Sequence, residues 1–286
     1  MTTNESIMNL EVQGITFQLL IPDDNEKARV FQSYYQKNGN YEAVMVALLT
    51  KILESIDKPV FVDLGAFIGF YTFYCARLLA GKARVYSVES NAEHIEILKR
   101  NLVLNGCDNI EIIHAALSNC SEPVKVSGNS VSTSAGEGVE LMAQTFDSVC
   151  RRIGFRPNVA KMDVHGFEGK ILGGMTETLR NSLDYLLLEL HPNVYLEKYT
   201  PGITRMQILD SLEAAGFTNY YVAGHRYTWS DGMRQFFDTG QFAYQPLNRK
   251  TRGMLLFDRH NHIFVLASKP PLEELIGSSV LDPSLE

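Results

Sequence analysis

Residues 59–78, PVFVDLGAFIGFYTFYCARL, decide the fold. PVFVDLG is an unbroken apolar run, too short for a helix and closed by Gly65, which is the pattern of a strand buried on both faces. After Gly69 the chain reads as a helix. A buried strand that turns straight into a helix through Asp63-Leu64-Gly65-Ala66-Phe67-Ile68-Gly69 opens a parallel α/β unit. In such a turn a glycine backbone and the unpaired N–H groups of a helix N-terminus can meet a ligand. Two glycines by themselves serve a plain tight turn equally well.

Downstream, strands continue to alternate with helices. ARVYSVES (83–90) is a second strand ending at Glu89, at the position where an acid grips ribose hydroxyls in nucleoside-binding folds. Asn91 is a plausible N-cap for a helix with Ile95, Leu98 and Leu102 on one face and Gly106 just past its end. IEIIHAAL (110–117) is a third strand, and residues 118–144 suggest short antiparallel strands over one edge. VAKMDV (159–164) is a fourth buried strand, and a helix from about Glu168 turns Ile171, Met175 and Leu179 inward. LDYLLLELH (183–191) is a fifth strand, and a helix from Thr204 to Ala215 follows it. FTNYYVAG (217–224) is expected to pair with HIFVLAS (262–268) across a loop of roughly 35 residues, long enough to be a lid or disordered. Upstream, LEVQGITFQLLI (10–21) reads as a short hairpin or bent strand, and Glu42 to Ile56 as a helix with Val46, Leu49 and Leu53 on one face. The expected division is an N-terminal extension packing on the core (1–57), a main α/β domain (58–269) and a polar tail (270–286).

The chain has 286 residues and is 45% apolar, enough for one large core. With 26 basic against 33 acidic residues the net charge is -7, which disfavours a nucleic-acid partner held by electrostatics. Cys75, Cys107, Cys120 and Cys150 form no C-x-x-C pair, and no signal-peptide pattern opens the chain, so a cytoplasmic location is expected. The apolar stretch from Val60 to Ala80 is interrupted by Asp63 and Arg77 and is too short, uncharged, for the ~20 residues of a membrane span.

The loop chemistry narrows the ligand. A dinucleotide site uses G-x-G-x-x-G, whose second glycine lets the backbone meet a pyrophosphate; here that place is Phe67, and Asp63 precedes the loop. An acid there repels pyrophosphate. It suits the sulfonium and ammonium charges of S-adenosylmethionine.

VFVDLGAFIGFYTFYCARL, YSVESNAE, LKRNLVLNG, IIHAALS, QTFDSV and above all KMDVHGFEGKIL together resemble the FkbM-type S-adenosylmethionine-dependent methyltransferases, over about residues 42–191. The resemblance implies a Rossmann-like class I methyltransferase fold, with a seven-stranded, mostly parallel sheet, helices on both faces and an antiparallel last strand. It also implies O-methylation of a hydroxyl on a small metabolite or glycan. By resemblance, Asp63, Gly65, Ala66 and Gly69 line the amino-acid end of the cofactor, Glu89 and the neighbouring Asn91 hold its ribose side, and Ala116, Leu117 and Ser118 flank the adenine. Asp163 lies beside the methyl or the cofactor ammonium, and Lys161 and Glu168 match the family pattern. Glu168 is also explained by the dipole of a helix first turn, and Lys161 by an ion pair under the strand.

His165 departs from the family, which usually has a second acid in D-V-E-G. With an ordinary pKa near 6.5, an imidazole suits removal of a hydroxyl proton, so His165 and Asp163 are the candidate catalytic residues; a turn histidine bonded to the backbone is the bland alternative. Asp163, His165, Glu189 and His191 fall at neighbouring strand ends and are metal-compatible types, but no metal-binding spacing supports them and no metal is expected. Tyr220, Tyr221, His225, Tyr227, Trp229, Phe236, Phe237 and Phe242 crowd the late loop, where they either cap a substrate or join the core. Asn101 and Asn105 match the family's N-x-x-x-N, and helix-end polarity explains them. The competing classes are a nicotinamide-dependent oxidoreductase, which the missing middle glycine opposes, and a non-catalytic binding module, which the intact loop opposes.

Overall fold

The computed structural model describes residues 5–133, 137–224, 231–248, 251–253 and 262–277. Strands β1 (Glu5–Val12) and β2 (Ile15–Pro22) form the expected antiparallel hairpin. Alternation along β2 buries Phe17, Leu19 and Ile21. Helix α1 (Glu26–Asn38) was not foreseen: only Ala28 and Phe31 are buried on it, so it has almost no apolar stripe to read. Its start is fixed by Asn25, whose side chain accepts the Ala28 N–H. Helix α2 (Ala43–Ser55), foreseen from Glu42 to Ile56, is buried on most of its surface and packs against the sheet.

The alternating core follows in order: β3 (Phe61–Leu64), α3 (Phe70–Leu78), β4 (Val85–Glu89), α4 (Ala92–Asn105) and β5 (Ile110–His114). Strands β6 (Pro123–Ser127), β7 (Ser130–Ser132) and β8 (Val139–Met142) make a separate antiparallel sheet in the order β7-β6-β8, as the polar region suggested. Then come α5 (Phe146–Ile153), β9 (Val159–Met162), α6 (Glu168–Gly173), α7 (Thr176–Asn181), β10 (Tyr185–Leu190), α8 (Asn193–Tyr199) and α9 (Arg205–Ala214). The chain closes with β11 (Thr218–Val222), α10 (Asp231–Thr239), β12 (Tyr244–Pro246), β13 (Ile263–Ser268) and α11 (Leu272–Ile276).

The main sheet runs β12-β11-β13-β10-β9-β3-β4-β5. Strands β5, β4, β3, β9 and β10 are parallel, while β13 inserts antiparallel between β10 and β11. The seven-stranded sheet with a last antiparallel strand is therefore present, and β12 adds an eighth strand at the edge. One face is covered by the hairpin with α1–α4 and α11, the other by α5–α7 and α9, and each carries its own apolar cluster. The strand order reverses between β3 and β9, and the crevice outside their carboxyl ends is where an open α/β sheet binds ligands.

Three expectations need correction. The helix from Glu168 is two helices, because α6 stops at Gly173 and the Asp147 carboxylate accepts the N–H groups of Glu177 and Thr178 to start α7; Ile171, Met175 and Leu179 are all buried nonetheless. The long late loop contains α10 and β12, so it is partly regular structure, while His225, Tyr227 and Trp229 lie outside the described residues. The polar tail begins with α11, whose Leu272 is fully buried, and the Tyr244 hydroxyl donates to the Gly277 carbonyl at 2.6 Å. No helix among the described residues is long and apolar enough to cross a membrane.

Candidate active site

The crevice at the reversal point holds a cavity of about 330 Å³. Its floor is the β3–α3 loop, entered by Gly65, Ala66 and Phe67. Gly65 has φ 81°, and a Cβ on it would lie 2.1 Å from the Asp163 carbonyl oxygen, so the glycine is required by close packing of β3 against β9. Gly69, at φ 95°, has no room either: a Cβ would sit 2.6 Å from the Phe73 ring and 2.8 Å from Leu98. Gly65 and Ala66 line the cavity; Asp63 and Gly69 support it from beneath and do not reach its wall.

Glu89 enters from the end of β4. Its Oε1 accepts the N–H groups of Ser90 and Asn91, its Oε2 accepts the Phe67 N–H, and His94 Nδ1 is 3.5 Å away. Burial pushes this carboxyl up, yet the His94 side chain and the backbone donors outweigh that and hold it below its ordinary value. Asn91 caps α4 through the Glu93 N–H and donates to the Gly128 carbonyl, tying the small sheet to the cavity rim without lining the cavity. Ala116 and Leu117 are buried under that sheet, where the Ala116 carbonyl accepts the Gln144 N–H; with the buried Ser118 they stay off this cavity wall.

Beneath the floor lies a buried charge cluster. Lys161 Nζ stands 3.9 Å from Asp63 Oδ1 and 3.8 Å from Asp163 Oδ2, and Asp63 Oδ2 accepts the Thr72 hydroxyl. Burial pushes Asp63 up against the pull of Lys161, whereas Lys161 is raised because Asp163, Asp63, Glu42 and Glu189 outweigh its own desolvation. The ion-pair reading of Lys161 therefore holds. Glu168, fully buried, does more than complement a helix dipole: it accepts the Gly166 N–H and meets His191 Nδ1 at 2.5 Å. Glu168 overcomes desolvation and pushes His191 up to about 9.

His165 occupies a turn at φ 53°, an unusual conformation for a residue with a side chain, and Gly166 follows at φ 97°. Its Nδ1 is 3.5 Å from Asp163 Oδ1, and its ring centroid is 5.2 Å from that of His191. Burial pulls His165 below its ordinary value, against the neighbouring Asp163. A second concavity of about 390 Å³ adjoins the first, lined by Asn25, Asn129, Ser130, Tyr195 and Tyr199 among others. Glu26, Lys27, Asn129 and His165 line both.

The sequence reading missed the roof. Lys27, Val30, Phe31 and Tyr34 of α1, with Tyr41, Glu42 and Tyr71, close the first cavity from the N-terminal side. Glu42 is buried and accepts the Tyr71 hydroxyl at 2.5 Å. The aromatic density of FQSYYQKNGNY (31–41) was the available signal. Tyr220 and Phe242 of the late aromatic group are buried in the core and absent from both cavities.

A curated relative, the hexuronic acid methyltransferase of Haloferax volcanii, is 25% identical over 179 residues, covering 60% of this chain and 73% of its own length. Among solved structures, the FkbM methyltransferase of Methylobacillus flagellatus matches 74% of this chain with 15% identity and a TM-score of 0.46, and this chain spans 44% of that one. A methyltransferase of Agrobacterium tumefaciens covers 92% of this chain and 70% of its own, at 15% identity and a TM-score of 0.48. The FkbM methyltransferase domain model matches residues 63–218, from the first acid of the cofactor loop to the start of β11, and on that match the chain belongs to the FkbM methyltransferase family.

Proposed function

We propose that this protein transfers a methyl group from S-adenosylmethionine to a hydroxyl of a glycan or a similarly hydroxylated small molecule. The residues present fit the cofactor. Glu89 offers an ionised carboxylate to ribose hydroxyls, Gly65 and Ala66 bring bare backbone to the cavity, and the acid cluster around Asp63 and Asp163 suits a ligand carrying ammonium and sulfonium charge. Asp163, Lys161 and Glu42 of this cluster line the cavity, whereas Asp63 does not reach it. When bound, the cofactor supplies an electrophilic methyl: it moves from sulfur to the acceptor oxygen, the S–C electron pair stays on sulfur, and the hydroxyl proton leaves the acceptor.

The observation that carries this reading is the position of His165 on the wall common to both cavities. A cofactor in the first and an acceptor in the second meet at that ring. Tyr195 and Tyr199 give the second concavity aromatic faces of the kind that pack against sugars, and Asn25, Asn129 and Ser130 add hydrogen-bonding groups. The curated relative acts on a hexuronic acid, and Lys27 at the junction of the two cavities is a suitable partner for an acidic sugar. Asp163 orients His165, and His165 handles the hydroxyl's proton.

The test is methyl transfer from labelled S-adenosylmethionine to a panel of hexose- and uronic-acid-containing acceptors, with wild type and His165→Gln. The substitution should lower kcat by about 100-fold or more while cofactor affinity stays within a factor of two or so. Equal kcat at saturating acceptor rejects the assignment.

A further inference from the structure

Behind His165 two buried polar atoms have no hydrogen-bond partner: Nε2 of His191 and Oδ1 of Asp163. His191 is fully buried, and its Nδ1 edge is taken by Glu168, which leaves Nε2 on the edge turned away from that carboxylate. Asp163 gives Oδ2 to Lys161 and keeps Oδ1 toward His165. One donor atom each from Asp163, His165 and His191 lies within 4.8 Å of the others. Asp163 directly follows β9, His165 sits in the turn after it, and His191 directly follows β10, whose parallel pairing with β9 fixes their separation. Two imidazoles and one carboxylate, converging from neighbouring strand ends, form the donor set of a three-ligand metal site that leaves positions open.

We infer that Asp163, His165 and His191 bind one divalent transition-metal cation, of the zinc, manganese or iron(II) kind, at the wall shared by the two cavities. Magnesium and calcium are disfavoured because they take oxygen ligands almost exclusively. The support for the ligands is already built. Glu168 on the Nδ1 edge is the carboxylate that orients a ligating histidine, the cation would take Nε2 with release of the proton that His191 carries near neutral pH, and the His262 ring, 4.3 Å from His191 and joined to Glu189 at 2.8 Å, packs against the imidazole. Of the three residues His165 lines the concavity assigned to the acceptor, and from there the cation would take the acceptor hydroxyl oxygen and lower its pKa. In the metal-bound form His165 serves as a ligand in place of the proton acceptor proposed above, the hydroxyl proton is released to water, and acceptors with a second oxygen placed to chelate, such as a vicinal diol or a hydroxy acid, are preferred. This last step rests on the reading proposed above; the binding of the cation does not.

The experiment titrates Co²⁺, Zn²⁺ and Mn²⁺ into chelator-treated full-length protein by calorimetry, with the visible spectrum of the Co²⁺ form as a second readout. S-adenosylmethionine is titrated into the same samples. One equivalent of Co²⁺ with ligand-field bands should bind wild type, and His191→Gln and His165→Gln should each weaken it by more than about tenfold. Since His191 is fully buried, His165, whose side chain is 24% exposed, supplies the variant expected to keep its fold, checked by circular dichroism. Failure of folded wild type to take up any of the three metals, or uptake unchanged in His165→Gln, overturns the inference. Cofactor binding without metal uptake would leave the methyltransferase reading standing alone, and metal uptake without cofactor binding would do the reverse.

Discussion

At the scale of a single side chain, Glu89 is the residue proposed to hold the ribose of the cofactor. Three backbone N–H groups and His94 converge on its carboxylate, so Glu89→Ala should raise the dissociation constant for S-adenosylmethionine by at least about tenfold, since a charge-assisted hydrogen bond contributes roughly 1.5–3 kcal/mol. Calorimetry checks this, and binding within twofold of wild type would refute it. The same carboxyl is held below its ordinary value of 4.5, so ionised Glu89 adds stability that is present above pH 4.5 and lost as pH falls through the lower folded value. The stability gap between wild type and Glu89→Gln in urea should therefore be constant near neutrality and shrink below about pH 4.5. A gap that widened on acidification would show the sign to be wrong. Gly65 acts by absence: its alanine variant meets the Asp163 carbonyl at 2.1 Å in a left-handed conformation, and should lose at least about 2 kcal/mol of stability.

Helix α4 joins two parts of the molecule through its polar residues. Asn101 accepts the Leu20 N–H and donates to the Ile68 carbonyl, while Asn105 accepts the Gln18 N–H and donates to the Gln18 carbonyl. The open edge of β2 is thereby satisfied by side chains in place of a further strand. Helix-end polarity, the reading drawn from sequence, gave the right residue type for the wrong reason, because the partners stand about 80 positions away. Asn101→Ala leaves a buried donor and a buried acceptor unpaired and should cost about 2–4 kcal/mol, with faster amide exchange at Leu20. Loss of stability with Leu20 still protected would point to a cavity effect in place of the lost hydrogen bonds. Helix α6 shows the converse: periodicity correctly turned Ile171, Met175 and Leu179 inward but could not see that Asp147, brought from α5, would restart the helix as α7.

Across the whole molecule, the cavity is assembled from segments distant in sequence, among them the loop after β3 and helix α1. Cofactor binding should therefore slow amide exchange in residues 26–38 as well as in 65–71, measured by mass spectrometry at saturating S-adenosylmethionine. Protection confined to 65–71 would show that α1 is no roof. The order of buried strands and helices, the acid at Asp63, Glu89 at the next strand end and the family signature around Asp163 were legible in the sequence. Each is local, set by periodicity or by a turn within a few residues. The roof, the eighth strand, the docking of Leu272 and the meeting of Asp163, His165 and His191 were not, since they depend on which distant surfaces touch. Sequence alone determined the α/β framework and the glycine-bearing loop after β3, because hydrophobic pattern and turn chemistry act over short spans of chain. Tertiary structure decided what faces that loop, because parallel pairing of β9 with β10 and packing of α1 over the crevice bring together residues that no local pattern relates.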